Sequence, residues 1–226
     1  MAQPTTFKTA ARVQESILSP LEKRTLRWCA GRMPPWINSD HLTVLGFAGT
    51  ILTGVSFAMA RSNPAMLLVA IGCLAVNWFG DSLDGTLARY RQRERPRYGL
   101  YVDHIVDAFG AVCLFGGIGL SGYMTATVAG LLLIAYFLLC IEIYLAAYAL
   151  SVFRLSFGVF GPTELRVVLV VVNITILMNG PRVTIAGHSV LLYDVVAAVA
   201  ICGMTAVAAV SAVRNTIRLY SEERLP

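Results

Sequence analysis

Six apolar runs, over residues 41 to 60, 65 to 90, 99 to 121, 124 to 150, 163 to 180 and 190 to 217, fill most of this 226-residue chain. Each is close to the ~20 residues that a helix needs to cross the hydrocarbon core of a bilayer. There, a helix satisfies its own backbone hydrogen bonds, which water cannot do for it. The chain is therefore predicted to be an all-α integral membrane protein with six transmembrane helices. Its composition agrees, because 57% apolar and 14% charged residues lie far from the usage of soluble domains.

The connections carry turn residues, namely Ser62-Asn63-Pro64, Ser121-Gly122, Gly158 to Pro162 and Asn179-Gly180-Pro181. Loops this short make successive helices antiparallel neighbours. Of the 18 Lys and Arg residues, sixteen fall on one side of this pattern and only Arg61 and Arg182 on the other. The positive-inside rule then places both termini, and the loop between spans two and three, in the cytosol of a multi-pass inner-membrane protein. The same distribution accounts for the net charge of +5 without a nucleic-acid partner, and no nucleic-acid motif is present.

Residues 1 to 40 form a segment distinct from the membrane domain of 41 to 220. Lys8, Arg12, Lys23, Arg24, Arg27 and Arg32 are set among Val13, Ile17, Leu21 and Trp28. Too charged to span, the segment is expected to form an amphipathic interfacial helix against membrane lipids. Ser19-Pro20-Leu21-Glu22 reads as its start, with serine as N-cap and Glu22 closing a capping box, and the helix should stop near Gly31, before Pro34 and Pro35. No cleavable signal peptide is expected. The five cysteines, Cys29, Cys73, Cys113, Cys140 and Cys202, are scattered singly and read as small core residues rather than disulfides, zinc ligands or nucleophiles.

Chemistry concentrates between Gly80 and Gly110. Asp81 and Asp84 are three residues apart, with Gly85 and Ala88 on nearly the same helical stripe; Asp103 and Asp107 are four apart, with Gly99 one turn earlier. On neighbouring antiparallel helices the four carboxylates can converge. Such a cluster repels itself unless protons or cations hold it together. Hard oxygen ligands select magnesium, manganese or calcium, and carboxylates within a membrane helix mark function.

The spacing D-x2-D-G-x2-A-R-x9-G-x3-D-x3-D, from Asp81 to Asp107, resembles the motif of the CDP-alcohol phosphotransferases (CDP-alcohol phosphatidyltransferases), membrane enzymes that make phospholipids from cytidine-diphosphate donors. All eight fixed positions are present: Asp81, Asp84, Gly85, Ala88, Arg89, Gly99, Asp103 and Asp107. The resemblance implies transfer of a substituted phosphate, with phosphatidyl from CDP-diacylglycerol the first choice, to the hydroxyl of an acceptor alcohol with release of CMP. It also implies two Mg2+ or Mn2+ ions on Asp81, Asp84, Asp103 and Asp107, with Asp107 as general base, and a homodimer. Nucleotide contacts would come from Thr43, Asp84, Gly85, Ala88, Arg89, Gly99 and Asp103. One departure is Asp40, where family members often carry an asparagine three residues before the threonine.

His104, directly after Asp103, is a feature of the choline and ethanolamine enzymes, so an alternative is a CDP-choline or CDP-ethanolamine type with diacylglycerol as acceptor. The short six-span chain favours the prokaryotic CDP-diacylglycerol type. A membrane transporter is a further alternative, although no inverted repeat is found. Glu142, Glu164, Arg166 and His104 are candidates for an acceptor or phosphate site, Tyr144 and Tyr148 for lining it, and Asn173 and Asp194 for bonds between helices. Gly46, Gly49, Gly54, Gly110, Gly116, Gly117 and Gly119 read as close-packing residues. The acceptor stays open among inositol phosphate, glycerol phosphate, serine and diacylglycerol.

Overall fold

The computed structural model describes residues 19–150 and 162–223. The expectations for Lys8, Arg12, Arg154, Arg224 and the turn from Gly158 lie outside them. A short helix α1 (Ser19–Arg32) is followed by six long ones: α2 (Ser39–Ala60), α3 (Met66–Tyr90), α4 (Pro96–Leu120), α5 (Ala126–Leu150), α6 (Pro162–Asn179) and α7 (Leu192–Glu222). Each of the six is long and apolar enough to cross a membrane. At ~1.5 Å per residue α7 is about 46 Å long, so one end must emerge from the hydrocarbon.

Helix ends follow from local chemistry. Asn38 caps α2, its Oδ1 accepting from His41 N at 3.0 Å while its own N–H donates to His41 Nδ1 at 3.3 Å, which starts the helix two residues before the predicted 41. At the end of α3, Arg93 N donates to Ala88 O at 2.9 Å and Gln92 takes φ +53°. This is the left-handed closure usually given to glycine. Pro96 then opens α4 at the position where a missing N–H costs nothing, three residues ahead of the predicted 99.

One element was not anticipated. Between α6 and α7 a hairpin pairs β1 (Arg182–Ile185) with β2 (His188–Leu191), antiparallel, with Val183 opposite Val190. Its two-residue loop, Ala186-Gly187, has φ +49° and +82°, as a tight hairpin turn requires. Four-residue strands are too short to stand out in an apolar chain.

Helix α2 packs between α3 and α4; α1 and α6 lie on α3, and α5 on α4 and α7. Glycines permit this closeness. A Cβ on Gly80 would stand 2.4 Å from Gly46 N, and one on Gly117 would stand 2.1 Å from Gly54 O. The packing reading fails for Gly116, which has nothing within 4 Å of such a Cβ because it faces away from the bundle.

Among the described residues two buried clusters result. The larger joins Phe57, Leu67, Leu74, Phe115, Ile118, Leu132, Val172, Ile176 and Tyr193. Here Tyr193 donates its hydroxyl to Asn173 Oδ1 at 2.7 Å, linking α7 to α6, and Asp194 accepts from Thr125 N and Oγ1 at 2.8 and 2.6 Å just ahead of α5. The smaller cluster seats α1: Leu26 and Ala30 are buried with Leu42, Leu83 and Leu87. Leu21, Trp28 and Trp36 remain exposed, and the Arg32 guanidinium lies 4.0 Å over the Trp28 ring. Glu22 accepts at Oε1 from Trp78, Ser82 and Thr163; the expected capping box rests on the Ser19 side chain, which lies outside what the structure describes.

Candidate active site

The site is built on α3 and α4, which are joined by the turn around Gln92. Both pack mainly on α2 rather than on each other, so the expected direct packing of these two successive helices is not found. Helical spacing stacks Asp81 and Asp84 on one stripe of α3 and Asp103 and Asp107 on one stripe of α4. The structure places all four in one electrostatic neighbourhood, and the two on α4 within ligand-sharing distance. Asp84 lies within electrostatic reach of Asp81 and Asp103, and Asp107 within reach of the other three and of Arg166. Asp103, His104 and Asp107 each place one ligand atom within 4.8 Å of the others.

Each acid on α3 is held by neighbours. Thr43 Oγ1 on α2 donates to Asp84 Oδ2 at 2.6 Å, Ser39 Oγ donates to Asp84 O at 3.0 Å, and Gly85 N–H donates to Asp84 Oδ1. Arg166, from the first turns of α6, donates from its NH2 to Asp81 Oδ2 and from Nε to Asn77 Oδ1 at 2.7 Å. Asn77 in turn donates to Gly46 O at 3.0 Å and Thr50 Oγ1 at 2.7 Å. The acids are thus fixed to three helices, α2, α3 and α6, by neutral hydroxyls, one amide and one arginine.

Of the remaining candidates, some join this surface and others do not. A Cβ on Gly85 would meet only the mobile tip of Arg89, at 3.4 Å, and one on Gly99 would meet nothing within 4 Å, so the space before both motif glycines is open. Arg89 is exposed and donates to Thr86 Oγ1 at 3.3 Å. His104 stacks on Tyr144 with ring centroids 4.7 Å apart, which brings α5 to the edge of the site. Glu164 is buried in the first turn of α6, two residues before Arg166. Glu142 is engaged elsewhere: its Oε1 accepts from Ser211 Oγ and Asn215 Nδ2, both at 2.8 Å, and ties α5 to α7. Tyr148 is 91% exposed on the outside of α5. Asp40 pairs with Arg95, whose guanidinium also lies 4.1 Å over the Tyr98 ring, and so links the start of α2 to the start of α4.

Three contributors were missed in the sequence. Asn77 is the hub between Arg166 and α2, and its signal was its position four residues before Asp81. Ser39 is the second, one turn ahead of Thr43. Arg91 is the third; it was counted only as a charge, yet it donates to Ile37 O and, at 2.9 Å, to Met33 O and Pro34 O, and so holds the α1–α2 linker.

Carboxylates beside an arginine, on helices long and apolar enough to cross a membrane, are groups that suit a hard cation and a phosphate ester. The sequence matches the CDP-alcohol phosphatidyltransferase family over residues 36–210, and the chain belongs to that family of transferases of substituted phosphate groups. It is 29% identical over 102 residues to the archaetidylinositol phosphate synthase of Pyrococcus horikoshii, a stretch that covers 45% of this chain and 51% of that relative. The chain thus matches about half the length of this curated relative. Membership of a transferase family decides against the transporter alternative.

Proposed function

We propose that this protein transfers the phosphatidyl group of CDP-diacylglycerol to the hydroxyl of an acceptor alcohol and releases CMP. The observation that carries this reading is the convergence of Asp81, Asp84, Asp103 and Asp107 on one surface with Arg166 beside them. The donor set fits Mg2+ or Mn2+, since four carboxylates offer hard oxygens and each oxygen accepts more than one bond, so the contacts from Thr43 and Arg166 leave capacity on Asp84 and Asp81. Asp81, Asp84 and Asp103 would be the main ligands, with Asp107 at the second of two ions. When bound, such ions neutralise charge on the pyrophosphate oxygens and on the departing CMP.

The chain's own residues supply the rest. Thr43 and Gly85 N–H orient Asp84. Gly85, Ala88 and Gly99 leave room for the nucleotide against the helices, and Arg89 offers a planar fork of donors to its phosphates or cytosine edge. Asp107, one turn beyond Asp103 and exposed, takes the proton of the acceptor hydroxyl at a carboxylate oxygen. The oxygen so freed attacks the β-phosphorus, and the bond from that phosphorus to the CMP oxygen breaks. Arg166, Glu164 and His104 border the acceptor side; Glu142, tied to α7, is left out of it. The name of the Pyrococcus relative and the presence of Arg166 together favour a phosphorylated polyol as acceptor. The membrane domain of 41–220 carries the reaction, the 1–40 segment lies at the membrane surface, and the charge distribution puts the site and both termini in the cytosol.

The test is CMP release from radiolabelled CDP-diacylglycerol against inositol phosphate, glycerol phosphate, serine and diacylglycerol, with Mg2+, Mn2+ or excess chelator. Expected is turnover with one phosphorylated alcohol, lost in chelator and in Asp81→Asn, Asp84→Asn and Asp103→Asn. Full activity in chelator would overturn the reading. Asp107→Asn should lose turnover by roughly a hundred- to ten-thousand-fold while keeping donor affinity. Asp84→Asn should lose both.

A further inference from the structure

Glu22 belongs to the short surface helix α1, yet its Oε1 sits at a junction of three helices. It accepts from Trp78 Nε1 at 3.0 Å and Ser82 Oγ at 3.1 Å, both on α3, and from Thr163 Oγ1 at 2.7 Å in the first turn of α6. The partners lie 56, 60 and 141 residues away along the chain. Their places in the helices matter. Trp78 and Ser82 immediately follow the site residues Asn77 and Asp81, and Thr163 precedes Arg166 by one short turn. Indole N–H is a donor only, so Trp78 needs an acceptor such as this carboxylate.

Helix α6 is therefore tied to α3 at two neighbouring points. One is direct, from Arg166 to Asn77 and Asp81. The other runs through Glu22, which gathers α3 and α6 around one acceptor oxygen. We infer that Glu22 is a positioning residue for the active site: it fixes the first turn of α6 against α3 and thereby sets where the Arg166 guanidinium stands relative to Asp81. The functional consequence rests on the reaction proposed above, but the positioning itself does not.

The experiment uses the full chain in lipid vesicles with Glu22→Ala, Glu22→Gln and, as control, Leu26→Ala, which removes buried packing from the same helix without touching α6. Hydrogen exchange over residues 162–175 should rise in Glu22→Ala, stay near wild type in Glu22→Gln, which keeps an acceptor oxygen, and stay near wild type in Leu26→Ala. In turnover, Glu22→Ala should lose roughly tenfold to a hundredfold in kcat/KM, the scale expected when a catalytic group is displaced by about 1 Å. Leu26→Ala should lower Tm with kcat/KM little changed. In an Arg166→Lys background the Glu22→Ala loss should shrink to less than about threefold, because residues acting through one another are not additive. Unchanged exchange over α6 in Glu22→Ala would overturn the inference whatever the turnover, as would equal damage from Glu22→Gln or a full loss persisting beside Arg166→Lys. If the wild type released no CMP with any acceptor, the proposed reaction would fail while the exchange result still decided the role of Glu22.

Discussion

Gly80 and Gly85 stand five residues apart on the same helix and do opposite things. A Cβ at Gly80 would strike Gly46 N at 2.4 Å and Leu42 O at 2.6 Å, backbone that cannot retreat without parting α2 from α3. A Cβ at Gly85 would meet only the flexible end of Arg89. One glycine lets two helices touch; the other leaves a space in front of the acids. The difference teaches that absence of a side chain serves assembly where protein fills the gap, while at Gly85 it leaves the open space that the proposed reaction gives to the nucleotide. Five residues turn the helix by about 140°, which carries the second glycine off the α2 seam and onto the site.

Substitutions can break or sharpen this contrast. The largest effect is expected from Gly80→Ala, which should cost about 3 kcal/mol or more, because overpacking here meets backbone rather than a side chain that can move. Folded yield and thermal unfolding in detergent measure it, and a stably folded Gly80→Ala protein would contradict the seam. Next comes Gly85→Leu, expected to insert and melt like wild type but to bind the cytidine donor about a hundredfold more weakly. Titration of the donor at fixed Mg2+ decides, and unchanged affinity would remove the nucleotide from that space.

Smaller again is Thr43→Val, which keeps the shape of α2 but removes the hydroxyl from Asp84. Loss of one hydrogen bond to a charged group should reduce kcat/KM about tenfold with little change in Tm. The smallest is Gly116→Ala. This glycine was grouped with the packing residues by its neighbours in sequence, yet its Cβ would enter open space, so alanine should be neutral or stabilise α4 by up to about 1 kcal/mol in thermal unfolding. A large destabilisation there would restore the original grouping.

The motif was legible because its residues are costly where they stand. Carboxylates in an apolar helix have no structural reason to recur at three- and four-residue spacing, so Asp81, Asp84, Asp103 and Asp107 declared themselves. Asn77, Ser39 and Glu22 did not, since an amide, a hydroxyl or a surface acid is common and means nothing until its partner is known. Glu142 erred the other way: its charge inside a span suggested the site, whereas Ser211 and Asn215, some seventy residues on, had already claimed it.

The amino-acid sequence by itself determined the six helices, their approximate limits and the stripe that carries the acids. These depend on apolar run length and helical period, which are local quantities. Only the tertiary structure decided which helices touch, which glycines lie in a seam, and that Arg166 of α6 reaches Asp81 while Glu22 of α1 ties α6 to α3. Those pairings join residues up to 141 positions apart. Such contacts depend on which helix faces pack together, and no local pattern along the chain encodes that choice.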